Sequence, residues 1–201
     1  MDEFLIAYQD PWIVVVDKPV GQPTQSTPKT PLGLYENLQN RFTYVGMHHR
    51  LDQPTSGLVL FSLSQTINSA ISDLFKRREI RRSYAAVLAG TLNEPRTWST
   101  PLEGRKAVSH VLPQGHLNGM SAVHIQLDTG RTHQIRKHAA FHQTPLLGDR
   151  RYGAQWGCAW PRLALHAYRL EFTHPKTQKP ISIQSPTPSD LKELWTLAGG
   201  S

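Results

Sequence analysis

The sequence predicts an α+β domain built around a largely antiparallel sheet. Apolar residues occur in many short runs, which outnumber the helical segments and do not alternate with them regularly. Gly and Pro residues separate these runs and mark turns. The chain of 201 residues contains no internal repeat, low-complexity tract or convincing linker. We therefore expect a single domain over residues 1–201, long enough to bury a core of its own.

The N-terminal part of the chain is predicted to mix strands and helices. The clearest helix is Ser64–Arg78, because its apolar residues fall at helical spacing. A shorter helix is predicted to begin at Pro31 with Thr30 as its cap. Its apolar face would be formed by Leu32, Tyr35 and Leu38. Strands are expected at Phe4–Tyr8, Trp12–Val16, Val45–Met47 and Leu58–Leu63.

The C-terminal part follows the same pattern. A helix over Arg131–Phe141 is predicted after Thr129 and Gly130, and Ser189 is predicted to cap a last helix that ends at Gly199. Strands bounded by Gly or Pro are expected at Ser83–Leu88, Ala107–Leu112, Ala122–Leu127 and Leu165–Phe172.

The chain is basic, with 22 Lys and Arg against 15 Asp and Glu and a formal net charge of +7. Such a surplus favours polyanions, above all nucleic acid, although a basic protein can also be merely soluble. The lone Cys158 excludes an internal disulfide and a thiolate zinc cluster, and it fits a reducing, cytoplasmic setting. No apolar stretch approaches the roughly 18 residues that span a membrane.

A polar loop between two predicted strands contains the first candidate site. It reads His49-Arg50-Leu51-Asp52-Gln53-Pro54-Thr55-Ser56-Gly57. An Asp in such a loop commonly bonds its own backbone in a turn. A carboxylate kept ionised by a neighbouring guanidinium also suits a nucleophile. The residues alone leave both interpretations open.

A second polar segment spans Gly130–His138, and the start of its predicted helix could offer backbone N–H groups to an anion. His138 and His142 lie four residues apart, a spacing that two metal ligands on a helix can have. No third ligand is obvious, so we expect polar or stacking roles for these histidines and no metal.

Two further positions have both a structural and a functional interpretation. Tyr84 begins an apolar strand, either as a core residue with a satisfied hydroxyl or as a ring that stacks on a base. Lys18, followed by Pro19, could contact a phosphate or end a strand.

These segments, taken in order, resemble the RluA family of RNA pseudouridine synthases. His49–Asp52 with Thr55–Gly57 resembles its catalytic motif, the Tyr84 segment its tyrosine strand, and Gly130–Arg136 its third motif. Four other segments also resemble parts of the family: Asp17–Gly21, Gly148-Asp149 with Tyr152-Gly153, Leu165–Ala167 and His174-Pro175. The matches run in the right order from about Phe4 to Ile183. An ordered set is far more specific than one motif.

The resemblance implies a bent, mainly antiparallel mixed sheet with flanking helices and loops, and isomerisation of a specific uridine in structured rRNA or tRNA. It implies that Asp52 is the catalytic aspartate, which attacks either the base or the ribose. Tyr84 would lie against the target base, and Arg136 would pair with the aspartate. Arg50 would enter the RNA stack as the uridine flips out. No metal or organic cofactor is implied.

Further RNA contacts are expected at His49, Thr55, Lys18, Arg131, His133 and Gln134. The family often has an N-terminal RNA-binding domain, whereas this chain starts directly at the first motif. Target selection is therefore expected in the catalytic domain, at Arg105, Lys106, Arg150 and Arg151. We expect a monomer.

Three other functions fit parts of the sequence. A non-catalytic RNA-binding module would not need Asp52. A metal-dependent hydrolase would need converging carboxylate and histidine ligands. A metal-free nuclease would shorten the RNA, whereas isomerisation leaves its mass unchanged.

Overall fold

The computed structural model describes residues 4–28 and 30–200. Within these ranges the chain forms ten β-strands, four α-helices and two short 3₁₀ helices. It divides into two compact units. One unit extends to Arg81 and resumes over Ala167–Ser185; the other comprises Arg82–His166 and the residues from Pro186 onward. The single-domain organisation stays a prediction.

The elements follow the predicted mixture of short strands and few helices. In chain order they are β1 (Leu5–Gln9), β2 (Ile13–Lys18), α1 (Leu34–Arg41), β3 (Gly46–Met47), β4 (Ser56–Ser62), α2 (Asn68–Arg77), β5 (Arg81–Ala89), β6 (Arg96–Trp98), β7 (Ser109–Leu117), β8 (Met120–Leu127), α3 (Gln134–Phe141), β9 (Leu165–Thr173), β10 (Pro180–Gln184) and α4 (Ser189–Leu197). The α+β class and the mainly antiparallel pairing are confirmed. None of the helices in the described ranges has the length and apolar character needed to cross a membrane.

In the first unit the strand order is β1-β2-β4-β9, with β3 against β4 and β10 against β9. The continuous apolar runs of β2 and β4 are almost wholly buried, as expected of central strands. The α2 residues Ile71 and Leu74 pack into the same core as Ile13 and Leu58, which confirms the predicted apolar face of that helix. Pairing of Lys18 with Gly57 places the end of β2 beside the start of β4.

In the second unit the order is β5-β8-β7-β6, and every neighbouring pair is antiparallel. β7 and β8 form a hairpin whose turn residues, Asn118 and Gly119, both have positive φ. That geometry is typical of a two-residue hairpin turn. Leu191 and Leu194 of α4 complete a second core with residues of β5 and β8.

The first helix begins later than the sequence predicted. Gly33 precedes α1, Leu32 is half exposed, and Thr30 bridges to Thr27. The Glu36 carboxylate accepts hydrogen bonds from the N–H groups of Ser26 and Gly33, which fixes the start at Leu34. The helix predicted to begin at Pro31 with a Thr30 cap is therefore wrong by three residues.

Other predicted boundaries differ as well. α3 begins at Gln134 and not at Arg131, because His133 adopts a left-handed conformation with φ 55°. Ser189 lies inside α4, which Pro188 precedes. The short strands β6 and β10 were not predicted, because they are largely exposed and lack an apolar run.

Candidate active site

Asp52 lies in a tight turn between β3 and β4 in the first unit. The Thr55 amide donates to the Asp52 carbonyl at 2.9 Å and closes the turn. The preceding Leu51 is buried, and the Thr24 hydroxyl binds both its amide and its carbonyl at 3.1 and 2.9 Å. Arg50 on one side is exposed and Asp52 on the other is partly exposed. Anchoring of Leu51 thus fixes where its two charged neighbours leave the backbone.

The Lys18 side chain is completely buried. Its ammonium donates to the carbonyls of Pro19, Gln22 and Gln53 at 3.0, 2.7 and 3.3 Å. Three acceptors match the three donors of an ammonium group. The ammonium thereby ties the end of β2 to the residue after Asp52, and the RNA contact predicted for Lys18 stays a prediction.

His49 and Thr55 flank Asp52. The Leu60 amide donates to His49 Nε2 at 2.9 Å, and the imidazole lies 5.1 Å from the Phe75 ring. An accepting Nε2 requires the neutral ring to carry its proton on Nδ1. Thr55 is buried, and its hydroxyl has no hydrogen-bond partner within the described part of the chain. RNA contacts by these two residues stay predictions.

The second unit contains Tyr84 and the third motif. Tyr84 lies in β5 opposite Ile125 of β8, with only 6% of its surface exposed. Its burial agrees with the core interpretation, and contact with the target base stays a prediction. Arg131 is exposed, and its Nε donates to the Lys106 carbonyl at 3.1 Å.

Arg136 is buried and forms a two-point ion pair with Asp149. Its Nε donates to Asp149 Oδ2 at 2.9 Å and its Nη2 to Oδ1 at 2.8 Å. Burial opposes ionisation of Asp149, but the guanidinium and the amides of Tyr152 and Arg151 outweigh it, so the pKa of this carboxyl lies below its ordinary value. Sequence reasoning did not identify Asp149 as a partner of Arg136, and the pairing of Arg136 with Asp52 stays a prediction.

Gln134 is the centre of a buried polar network. Its Oε1 accepts from the Thr129 hydroxyl and the Arg131 amide, while its Nε2 donates to the Val108 carbonyl and to Ser109 Oγ. The side chain is 2% exposed and all its bonding capacity is used. The residue thereby fixes the start of α3, and the RNA contact predicted for Gln134 stays a prediction.

His138 lies in α3 and His142 directly follows the helix, and both histidines make other contacts. His138 Nε2 lies 2.9 Å from the Thr100 carbonyl and Nδ1 lies 3.0 Å from Ser109 Oγ. His142 stacks on Trp98 with ring centroids 5.4 Å apart. Across residues 4–28 and 30–200, no three His, Cys, Asp or Glu side chains form a group that could hold a metal ion.

Comparison with known proteins decides the family. The model of the RNA pseudouridylate synthase family matches residues 12–141, which include parts of both units. The chain belongs to this family. It is a pseudouridine synthase, an isomerase, and the RluA type indicated by its motifs is confirmed.

Curated relatives align with nearly the whole synthase. The uncharacterized RNA pseudouridine synthase YhcT of Bacillus subtilis is 32% identical, covering 96% of this chain and 71% of the relative. The tRNA pseudouridine synthase C of Salmonella typhimurium is 31% identical, covering 96% and 87%. The ribosomal large subunit pseudouridine synthase D of Xanthomonas campestris is 30% identical, covering 95% and 68%.

A solved structure supports the predicted fold. Human RNA pseudouridylate synthase domain containing 1 superimposes with a TM-score of 0.79 at 24% identity, covering 93% of the synthase and 84% of that chain. At this identity the likeness concerns the fold alone. The pseudouridine synthase fold expected from the motifs is confirmed.

The predicted site residues of the synthase fall into two groups. Lys18, His49, Arg50, Asp52 and Thr55 come together in the first unit. The second unit contains Tyr84, Arg131, His133, Gln134 and Arg136. Asp149 is the functional candidate that sequence reasoning missed. A signal was present, because Gly148-Asp149 and Tyr152-Gly153 lie in a matching segment, but neighbouring basic residues made it look like an ordinary loop.

Proposed function

We propose that this synthase isomerises a specific uridine of rRNA or tRNA, with Asp52 as the attacking carboxylate and with the nucleotide flipped out of its stack. Two relatives are named for the large ribosomal subunit and for tRNA, which supports these substrate classes. The observation that carries the role of Asp52 is its partly exposed position on a loop whose backbone is locked on both sides. A reactive group held on rigid backbone needs little reorganisation to react.

The proposed reaction conserves every atom of the RNA. The bond between ribose C1′ and N1 of uracil breaks, and a bond between C1′ and C5 forms. N1 gains a proton and C5 loses one, so that the RNA mass is unchanged. The Asp52 carboxylate attacks either the uracil ring or the ribose carbon, and both routes need it ionised. Neither route needs a metal or an organic cofactor.

The enzyme must also reach the uridine, and the remaining residue roles follow from this need. A base inside a helix cannot be reached, so it must leave the stack. Arg50 is exposed next to the locked Leu51, which suits a side chain that enters the vacated position. Tyr84 is proposed to lie against the flipped base and Arg136 to act as the basic partner of the aspartate. Both assignments rest on the motif matches.

The test is pseudouridine mapping in cells that lack the gene. Total RNA is treated with carbodiimide and read by reverse transcription, which stops at each pseudouridine. The deleted strain is complemented with the wild-type gene, with Asp52→Asn, or with Asp73→Asn. Asp73 is a matched control, because it is a half-exposed Asp of the same unit that pairs with Lys76 on the surface of α2.

We expect one or a few stops to vanish on deletion and to return with the wild-type and Asp73→Asn genes, but not with Asp52→Asn. Restoration by Asp52→Asn would contradict the assigned nucleophile. RNA shortened by the purified protein would instead support the nuclease alternative.

A further inference from the structure

The Asp149 carboxylate is enclosed by hydrogen-bond donors. Its side chain is 1% exposed. Besides the two bonds from Arg136, Oδ1 accepts the backbone amides of Arg151 and Tyr152 at 3.1 Å each. The two amides fix the carboxylate relative to its own loop, and the carboxylate in turn fixes the guanidinium. The loop backbone thereby sets the orientation of a side chain on α3.

Tyr152 supports the same guanidinium through its face. The Arg136 Cζ lies 5.1 Å from the centre of the Tyr152 ring. The phenol oxygen of that ring lies 3.0 Å from Nδ1 of His133, the residue that precedes α3. Arg136 is therefore held at its edge by Asp149 and at its face by Tyr152. Planar guanidinium groups are suited to such combined edge and face contacts.

Pairing with Asp149 changes what Arg136 can contribute. A buried guanidinium beside a buried carboxylate is compensated in charge, so its value to a reaction lies in the direction of its N–H groups. Side chains that hold a reacting group must themselves be locked by surrounding contacts. Arg136 is therefore a rigid hydrogen-bond donor whose charge is balanced by Asp149.

From these contacts we propose that Asp149 is a positioning residue for pseudouridine formation, acting through the orientation of Arg136 on the Tyr152 ring. The proposal rests on the role of Arg136 in the function proposed above. Asp149 itself does not need to contact the uridine. A purely structural pair that only ties α3 to the loop predicts a loss of stability and no specific loss of rate.

A double-mutant cycle separates these alternatives. Single-turnover rates are measured with excess enzyme for wild type, Asp149→Asn, Arg136→Gln and the double variant, on RNA from the deleted strain. RNA affinity and thermal unfolding are measured alongside. Asp190→Asn is the matched control, since Asp190 Oδ2 lies 3.6 Å from Arg162 Nη1 in the same unit and the Asp190 side chain is 45% exposed. Asp52→Asn is run in the same assay to test the proposed function independently.

We expect Asp149→Asn to lower the rate about 100-fold with unchanged RNA affinity, the order of loss that follows misplacement of a reacting group. In the Arg136→Gln background the same change should alter the rate by about twofold or less, because the two residues act as one unit. Asp190→Asn should react at the wild-type rate. If the rate loss of the double variant equals the product of the two single losses, the residues act independently and the proposal is overturned.

An activity-independent readout completes the test. The side-chain Nε–H of Arg136 should give a slowly exchanging nuclear magnetic resonance signal that Asp149→Asn abolishes, and a preserved signal would contradict the orientation argument. If Asp149→Asn does not fold, Asp149→Glu keeps the charge while shifting the carboxylate, and a wild-type rate would then overturn the proposal. An active Arg136→Gln overturns it as well, whereas an active Asp52→Asn overturns only the assigned nucleophile.

Discussion

At the scale of single residues, Lys18 is a basic side chain that binds three carbonyl groups of the protein's own backbone. We predict that Lys18→Met lowers the free energy of unfolding by about 3 kcal/mol, because three carbonyls lose the donor that the buried ammonium supplies. Urea denaturation measures the change, with the slope of the transition unchanged.

The matched control for this prediction is Lys106→Met. Lys106 is exposed, so its replacement should shift the urea midpoint very little. Equal midpoints for Lys18→Met and the wild type would show that the three carbonyl contacts add nothing to stability, and the positioning role of Lys18 would fall with them.

At the scale of elements, α3 is held by a chain of hydrogen bonds whose direction can be assigned. The Thr100 carbonyl can only accept, so His138 Nε2 donates to it. The neutral ring then accepts at Nδ1 from the Ser109 hydroxyl, and Ser109 Oγ accepts from Gln134 Nε2. Protonation of His138 would break this order. The buried network therefore ties the position of α3 to the ionisation state of one imidazole.

From this network we predict that the protein loses stability as the pH falls from about 7.5 to 5.5. Burial lowers the pKa of His138, and likewise that of His48, His124 and His142. As the pH falls, these histidines therefore take up protons in the unfolded chain, near the ordinary histidine pKa of about 6.5, before they do so in the folded protein. Each such histidine contributes a slope of up to about 1.4 kcal/mol per pH unit between the two pKa values.

Urea midpoints measured across this pH range test how steeply stability changes with pH. His138→Asn should give a shallower pH dependence than the wild type, while replacement of the exposed His116 by Asn should preserve it. A His138→Asn slope as steep as that of the wild type would show that His138 does not contribute to the loss of stability.

The elements also show what a sequence can and cannot predict. The helix α2 was predictable, because Ile71, Leu74 and their apolar neighbours recur at helical spacing and pack against one core. The true start of α3 was not, since a left-handed His133 has no marker comparable to Gly. The ion pair of Arg136 with Asp149 joins α3 to the loop that follows it, and charge spacing along the chain does not reveal this pairing. The motifs predicted candidate site residues but not which of them are buried.

At the scale of the whole molecule, only the exposed part of the positive charge, +7 in total, is available to RNA. Lys18 and Arg136 are buried and each is occupied by acceptors within the protein. Arg50, Arg131 and other exposed cations remain at the surface, among them Lys106, Arg105, Arg150 and Arg151. Phosphate contacts from exposed cations set affinity and its dependence on salt, because they release counterions from the RNA.

The salt dependence of RNA binding therefore distinguishes the exposed Lys106 from the buried Lys18. We predict that affinity falls steeply with potassium chloride, and that Lys106→Met reduces the slope of log affinity against log salt by roughly 0.7 to 0.9, as the loss of one phosphate contact requires. Lys18→Met should leave that slope unchanged, since its ammonium has no surface to offer. Filter binding at four or more salt concentrations gives both slopes. A slope reduced by Lys18→Met would mean that the loop after β2 opens on binding RNA, and the buried ammonium would then count among the phosphate contacts after all.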